Sequence, residues 1–346
     1  MAILGAGDLG GAAAQALAAR DHVHRILLID TAARAAAGKA LDIKQSGAVS
    51  GFHAKLEGTD DISRLTGCTV CIVADRFGAG SPEWQGEEGL ALLKRAVPYL
   101  SAAPLIFAGA LQAPLMAAAA REAGVARERL IGSAAEGFAS AIAAIVAMEA
   151  RCSPGEVMLT VLGTPPAGFV VPWSEASIGG YALDRVMEQV QRTRIEARVV
   201  KLWPPGAYTL GASAARVAEA VTTSSRRFFS VLTVLNGEFK VRDRVGAVPA
   251  LLSLRGIVHT RVPSLGTREV FAFGEGVALP TRLRFKKLPE HRIPRSESVS
   301  RSRVDPSRGI DANFIETVVE RWRGATMSNK GKDTGQDFES PGFGQL

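Results

Sequence analysis

The chain is poor in sulfur, aromatics and long apolar runs. Three cysteines in 346 residues exclude a disulfide-stapled framework. Cys68 and Cys71 have the spacing of a metal or redox pair, but "GCTVCIVAD" reads as a buried strand, where the two would point to opposite faces. No further Cys or His stands close by in the sequence to complete a zinc set, so no metal ligand is assigned. Aromatics make up 6%. The apolar stretches, such as "SAIAAIVAMEA", are too short for a bilayer, and no transmembrane helix is expected. The chain opens directly on a strand and a glycine turn, which reads as a protein without a secretory signal. With its unpaired thiols, that predicts a cytoplasmic location. Two further gaps matter more: no histidine occurs between His53 and His259, and no Arg or Lys between residues 77 and 93.

What is present is an ordinary globular composition, 47% hydrophobic and 22% charged, with much alanine and glycine. Over residues 1–152, short apolar strands such as "HRILLID" and "APLIFAGA" alternate with helical stretches such as "GEEGLALLKRAVPYL". That rhythm predicts a parallel sheet covered on both faces. From about residue 153 to 280 the pattern becomes a mixed α+β lobe, with "GEVMLTVLG" as a strand and "ALDRVMEQVQRTRIEARVVKL" as one long helix. The dipeptide "NG" after "RRFFSVLTVL" marks a hairpin turn.

The net charge is +7, and most of it is local. Residues 281–309 hold nine basic and three acidic residues, a net +6, in an Arg/Ser/Pro-rich stretch with no apolar period. That stretch predicts an extended basic linker. An amphipathic helix follows over 310–324, its apolar stripe running from Ile310 through Phe314 to Trp322, and then a polar tail over 325–346. The linker's charge and the helix at 310–323 suit docking on an acidic protein partner. Aromatics are nearly absent from the linker, which disfavours nucleic acid. Peripheral association with a membrane complex stays compatible with the charge.

The sharpest motif is "GAGDLG", which places Gly5, Gly7 and Gly10 in G-x-G-x-x-G spacing between a strand and a helix. The first glycine allows the turn, the second a close approach of a pyrophosphate, and the third helix-strand packing. The amides from Asp8, Leu9 and Gly10 at the helix start would meet the phosphates. Asp30 ends the next strand in "LLID", where an acid accepts from an adenosine ribose and favours NAD over NADP. The expected cofactor-binding set is Gly5, Gly7, Asp8, Leu9, Gly10 and Asp30, with NAD as the cofactor it would hold.

Beyond the fingerprint, "AAGKALDIKQSGAVSGFHAKLEGTDD", "VARERLIGSAAEGFASA", "VMLTVLG" and "VVPWSEASIGG" resemble segments of the lactate/malate dehydrogenase family. The resemblance covers roughly residues 1–260 and is strongest before 180. It implies an α/β protein: a Rossmann doubly wound parallel sheet followed by a mixed α+β dehydrogenase C-terminal domain. It also implies oligomers, and the retained "GKALDIKQSG" points to self-association through helix faces.

The same resemblance shows what has gone. The family's mobile loop, which carries its first arginines, corresponds to "FGAGSPEWQGEEGLALL" and has no cation. Arg76 stands where the family has a glycine against the nucleotide, and there it would hinder binding. The asparagine position falls on Gly109, the aspartate and carboxylate-binding arginine near Phe138 and Ala141, and the histidine on Pro165. Losing the positioned acid/base costs roughly 10² to 10⁴ in rate. Losing the arginines removes the preorganised partner of the developing alkoxide and the substrate clamp. No catalytic residue is therefore assigned.

Of the remaining candidates, His259 reads as a packed or surface strand residue, and His22, His24 and His53 as solvated. Glu136 is expected to cap a helix or face solvent. Asp75 and Arg76 are expected to pair with each other or to touch a ligand. Trp84, with Phe77, is expected to offer the former loop an apolar docking contact. The sequence thus predicts a malate/lactate dehydrogenase-like protein, catalytically inactive, that serves as a subunit of a larger complex or a homo-oligomer. A divergent NAD-dependent oxidoreductase without a carboxylate substrate and an NAD-sensing regulator are the alternatives.

Overall fold

The computed structural model describes residues 1–262 apart from 81 and 167, and the strands Glu269–Ala272 and Thr281–Arg284. The basic linker beyond Arg284, the helix expected at 310–324 and the tail lie outside the described residues.

The first half alternates as the sequence predicts. Its strands are β1 (Ala2–Leu4), β2 (Arg25–Ile29), β3 (Lys55–Thr59), β4 (Cys71–Val73), β5 (Leu105–Phe107) and β6 (Leu130–Gly132). Between and after them run α1 (Asp8–Ala19), α2 (Ala33–Ser50), α3 (Gly86–Ala96), α4 (Ala113–Glu122) and α5 (Ala134–Ala150). The strands line up β3-β2-β1-β4-β5-β6, all parallel among themselves. Strands β1, β4, β5 and β6 are buried throughout, which is why they read as unbroken apolar runs rather than as alternation.

The second half adds β7 (Val157–Met158), β8 (Leu162–Thr164), β9 (Gly168–Val170), β10 (Ser177–Ile178), β11 (Tyr181–Ala182), α6 (Leu183–Val186), α7 (Gln189–Val199) and α8 (Ala207–Thr223). The strands β12 (Phe229–Asn236), β13 (Arg242–Ser253), β14 (Gly256–Thr260), β15 (Glu269–Ala272) and β16 (Thr281–Arg284) complete it. The expected strand "GEVMLTVLG" is divided into β7 and β8, and the expected long helix breaks at Met187–Glu188. Glu188 caps the new start at α7, exchanging side-chain and backbone hydrogen bonds with Gln191. Asn236 ends β12, and Gly237, at φ +115°, opens a longer turn through Glu238–Lys240 that leads into β13.

Two departures from the predicted domain map follow from strand pairing. Strand β12 runs antiparallel to β6 through Leu232 and Gly132 and carries β13 on its other edge. One sheet therefore passes through the predicted boundary at 152/153, and Met1–Lys286 forms one unit. Residues 281–284, assigned by composition to the linker, are strand β16 paired with β15. Cys68 is also not on the strand: its amide closes a turn on Leu65, and β4 starts at Cys71. All three cysteines are free thiols, and burial pushes that of Cys71 well above its ordinary value. Among the described residues, no helix is long and apolar enough to cross a membrane.

Candidate nucleotide site and the ring cluster around Phe138

In the order β3-β2-β1-β4-β5-β6, chain direction reverses its progress between β1 and β4. Ligands of open parallel sheets bind outside the carboxyl ends of the strands at that switch point. The glycine turn leaves β1 there, and the segment "ADRFGAG" leaves β4 beside it. Gly5 has φ +113°, and a Cβ on it would stand 2.0 Å from the Asp75 carbonyl oxygen, so only glycine serves. A Cβ on Gly10 would stand 2.2 Å from the Gly5 oxygen, the close helix-strand contact expected of the third glycine.

The structure brings Gly5, Gly7, Asp8, Leu9, Gly10 and Asp30 together as the motif requires, but it engages their polar groups internally. Helix α1 has no cap from its own side chains. Asp75 supplies one from across the switch point: its Oδ2 accepts from the Leu9 amide at 2.9 Å and its Oδ1 from the Gly10 amide at 2.7 Å. A Cβ on Gly7 would stand 2.3 Å from Asp75 Oδ2, so the carboxylate lies against the second glycine. Asp8 itself points outward, its side chain 79% exposed. Lys39, on α2, donates to the Gly7 carbonyl at 2.6 Å.

Asp30 is buried and accepts from the Ala6 and Phe77 amides, both at 2.8 Å, and from the Ala32 amide at 3.0 Å. Three backbone amides thus share its two oxygens. Arg76 does not pair with Asp75; it reaches Glu88 on α3 at 2.7 Å.

The segment after β4 folds back through Arg76 N–H to Pro82 and Trp84 N–H to Ala74. This turn half-buries Glu83, whose carboxylate accepts from the Ala110 and Leu111 amides, each at 2.9 Å. A Cβ on Gly109, at the family's asparagine position, would stand 2.1 Å from Glu83 Oε2. The Glu83 carboxylate therefore lies against Gly109. Burial raises the acidities' midpoints of both Asp75 and Glu83 above the ordinary carboxylate range, against the pull of their amide donors. Trp84, expected as a docking contact, is instead buried in the chain's own core, while Phe77 is half exposed. The loop folds inward because Trp84 gains more from the core than from solvent.

Rings cluster around Phe138, near the positions where the resemblance puts the family's polar side chains. Phe138, on α5, is fully buried. It meets Phe169 of β9 edge-on at 4.8 Å and Trp203 edge-on at 5.5 Å between centroids. Pro165, at the histidine position, lies in the connection from β8 to β9. Glu136 neither caps nor faces solvent. It is buried, pairs with Arg216 of α8 at 3.4 Å, and accepts from the Ser230 amide at 3.0 Å. Ser230 in turn accepts from the Val161 amide. Burial raises the Glu136 carboxyl above its ordinary range, and Arg216 opposes that. The sequence missed both Arg216 and the inward turn of Glu136, since neither carries a local signal. His259 is on β14, exposed, with its ring 6.3 Å from that of Phe228. His22 lies 3.2 Å from Glu219 and His53 3.3 Å from Asp21, both at the surface. Among the described residues, no three His, Cys, Asp or Glu side chains group as a metal site.

A glycine loop at the switch point of a 3-2-1-4-5-6 sheet defines a dinucleotide-binding α/β protein of the Rossmann type. Residues 1–103 match the lactate/malate dehydrogenase NAD binding domain. The malate dehydrogenase of Sorangium cellulosum (strain So ce56) is 29% identical over 282 residues, which cover 74% of this chain and 87% of that relative. The fold is similar to that of malate dehydrogenase from Aeropyrum pernix, with TM-score 0.67 and 22% identity over 77% of this chain and 91% of that one. Malate dehydrogenase from Salinibacter ruber is alike at TM-score 0.67 and 21% identity, over 77% and 90% of the two chains. Together these findings make the chain similar to lactate/malate dehydrogenases, by sequence over residues 1–103 and by fold over 77% of its length. The matched family domain is an NAD binding domain, which makes NAD the candidate cofactor for residues 1–103. The backbone fits it. The side chains, as arranged here, do not leave the Leu9 and Gly10 amides free for a pyrophosphate.

Proposed function

We propose that this chain is a catalytically inactive lactate/malate dehydrogenase-like protein that works as a structural or assembly subunit of a larger cytoplasmic complex. The observation that carries the proposal is the ring cluster of Phe138, Phe169 and Trp203 where the resemblance puts the acid/base and substrate-clamping side chains. Apolar rings neither exchange a proton nor clamp a carboxylate. Glu136, the nearby acid, is committed to Arg216 and to the Ser230 amide, so it is not a free base. The body then offers a rigid scaffold, and the +6 segment at 281–309 with the apolar stripe at 310–323 supplies the docking element for an acidic protein.

The test has two arms. The purified chain, with NADH and with oxaloacetate, pyruvate or uncharged carbonyl compounds, is expected to consume no NADH above a blank. Native purification is expected to return a partner at fixed stoichiometry, which is lost when the arginines of 281–309 are changed to glutamine. Brisk turnover on a 2-oxo acid would sink the proposal, and turnover on an uncharged carbonyl alone would favour the divergent oxidoreductase.

A further inference from the structure

We infer that Asp75 is a built-in substitute for the nucleotide's pyrophosphate, so that this chain completes its glycine loop with its own carboxylate and NAD can bind only by displacing it. Three features carry the inference. The carboxylate divides its oxygens between the Leu9 and Gly10 amides at 2.9 and 2.7 Å, the same donors that a helix start offers a phosphate. Its Oδ2 occupies the space over Gly7 that the motif keeps clear for a close approach. Its charge is met by the positive end of α1 and by Lys39, whose ammonium group is fixed on the Gly7 carbonyl.

The segment that delivers Asp75 is tied down at several points. The Phe77 amide donates to Asp30, Arg76 pairs with Glu88, and Arg76 and Trp84 close backbone hydrogen bonds to Pro82 and Ala74. Glu83, on the returning limb, is fastened to the Ala110 and Leu111 amides. An entering dinucleotide would therefore have to break the Asp75 pair and loosen a braced turn, with Asp30 already engaged by three amides. In its ionised form Asp75 would also repel a phosphate that approaches the same amides. The inference concerns binding alone and does not depend on whether the chain turns over a substrate.

The experiment titrates NADH into the full-length wild-type chain and into Asp75→Asn and Asp75→Ala, reading NADH fluorescence and calorimetric heat. An active malate dehydrogenase run in parallel serves as the positive control. The wild type is expected to show no saturable binding where the control saturates, and no rise in Tm with NADH. Asp75→Ala is expected to melt lower in the absence of nucleotide and to bind NADH at least about tenfold more tightly than the wild type. Asp75→Asn keeps one acceptor oxygen and should fall between the two. Wild-type binding as tight as that of the control would overturn the inference. So would an Asp75→Ala or Asp75→Asn protein that is folded by circular dichroism yet binds no better than wild type. If Asp75→Ala fails to fold, the wild-type and Asp75→Asn titrations decide the matter alone.

Discussion

Asp75 and Glu136 are buried acids and Glu83 is a half-buried one, and the three meet their charge in two ways. Asp75 and Glu83 have pairs of backbone amides, whereas Glu136 has one amide and the Arg216 guanidinium. Burial of an ion pair is costly in desolvation, while removing one partner leaves a buried charge uncompensated. Glu136→Ala should cost about 1–3 kcal/mol, chiefly because the buried Ser230 amide loses its acceptor, while Arg216 is exposed enough to be solvated. Glu136→Gln keeps an acceptor for Ser230 and drops the desolvated charge, and it should fall within about 1 kcal/mol of wild type. Urea unfolding of the two variants checks this; equal losses would show that the charge itself, rather than the hydrogen bond, holds this part of the core. At this scale the close backbone approaches at Gly5 and Gly10 were legible, since their meaning lies in spacing along the chain. Asp75, Glu83 and Arg216 were not, because each acquires its partner only when a distant segment folds against it.

At the scale of elements, the contact that positions the nucleotide loop is between α1 and α8. A Cβ on Gly211 of α8 would stand 2.7 Å from the Ala12 carbonyl carbon, the Ala12 Cβ and the Ala13 nitrogen of α1. Two of those atoms are backbone and cannot rotate away. Alanine in place of glycine gains about 1 kcal/mol of helix propensity. Overpacking a tight core contact costs about 1–3 kcal/mol, and backbone neighbours put this one toward the upper end. Gly211→Ala should therefore lower Tm despite the better propensity, by an amount that thermal denaturation resolves; an unchanged or higher Tm would mean that the helices separate freely. A shift of α1 would also pull the Leu9 and Gly10 amides off Asp75. The βαβ order was legible because buried parallel strands leave short apolar runs between helical stripes. The break at Met187–Glu188 was not, since "RVMEQVQR" contains no glycine or proline to announce it. Nor was β16, whose arginine-rich sequence pairs with β15 through backbone groups that composition does not report.

At the scale of the molecule, Glu238 joins segments that the sequence assigns to different domains. Its carboxylate binds Arg127, which precedes β6, at 2.9 Å, and Thr260 of β14 at 2.9 Å, and it accepts from the Asn236 amide. Arg127 also donates to the Val234 carbonyl of β12. Burial disfavours the charged carboxylate, but Arg127, the backbone amides and Thr260 together outweigh it and hold the group at about 2, below the ordinary 4.5. A carboxyl depressed on folding stabilises the native state fully above its unfolded value and loses that contribution as pH falls through the folded one. The difference in unfolding free energy between wild type and Glu238→Gln should therefore be level from neutral pH down to about 4.5, shrink below it, and be small near 2. Asp75, Glu83 and Glu136 act with the opposite sign: their midpoints are raised, so the strain of their ionised forms is relieved on acidification. The wild type's own acid profile mixes both signs, and only the comparison with Glu238→Gln isolates the bridge. A wild-type-to-variant difference that stays the same at every pH would mean that Glu238 contributes shape rather than charge to the join across the sheet.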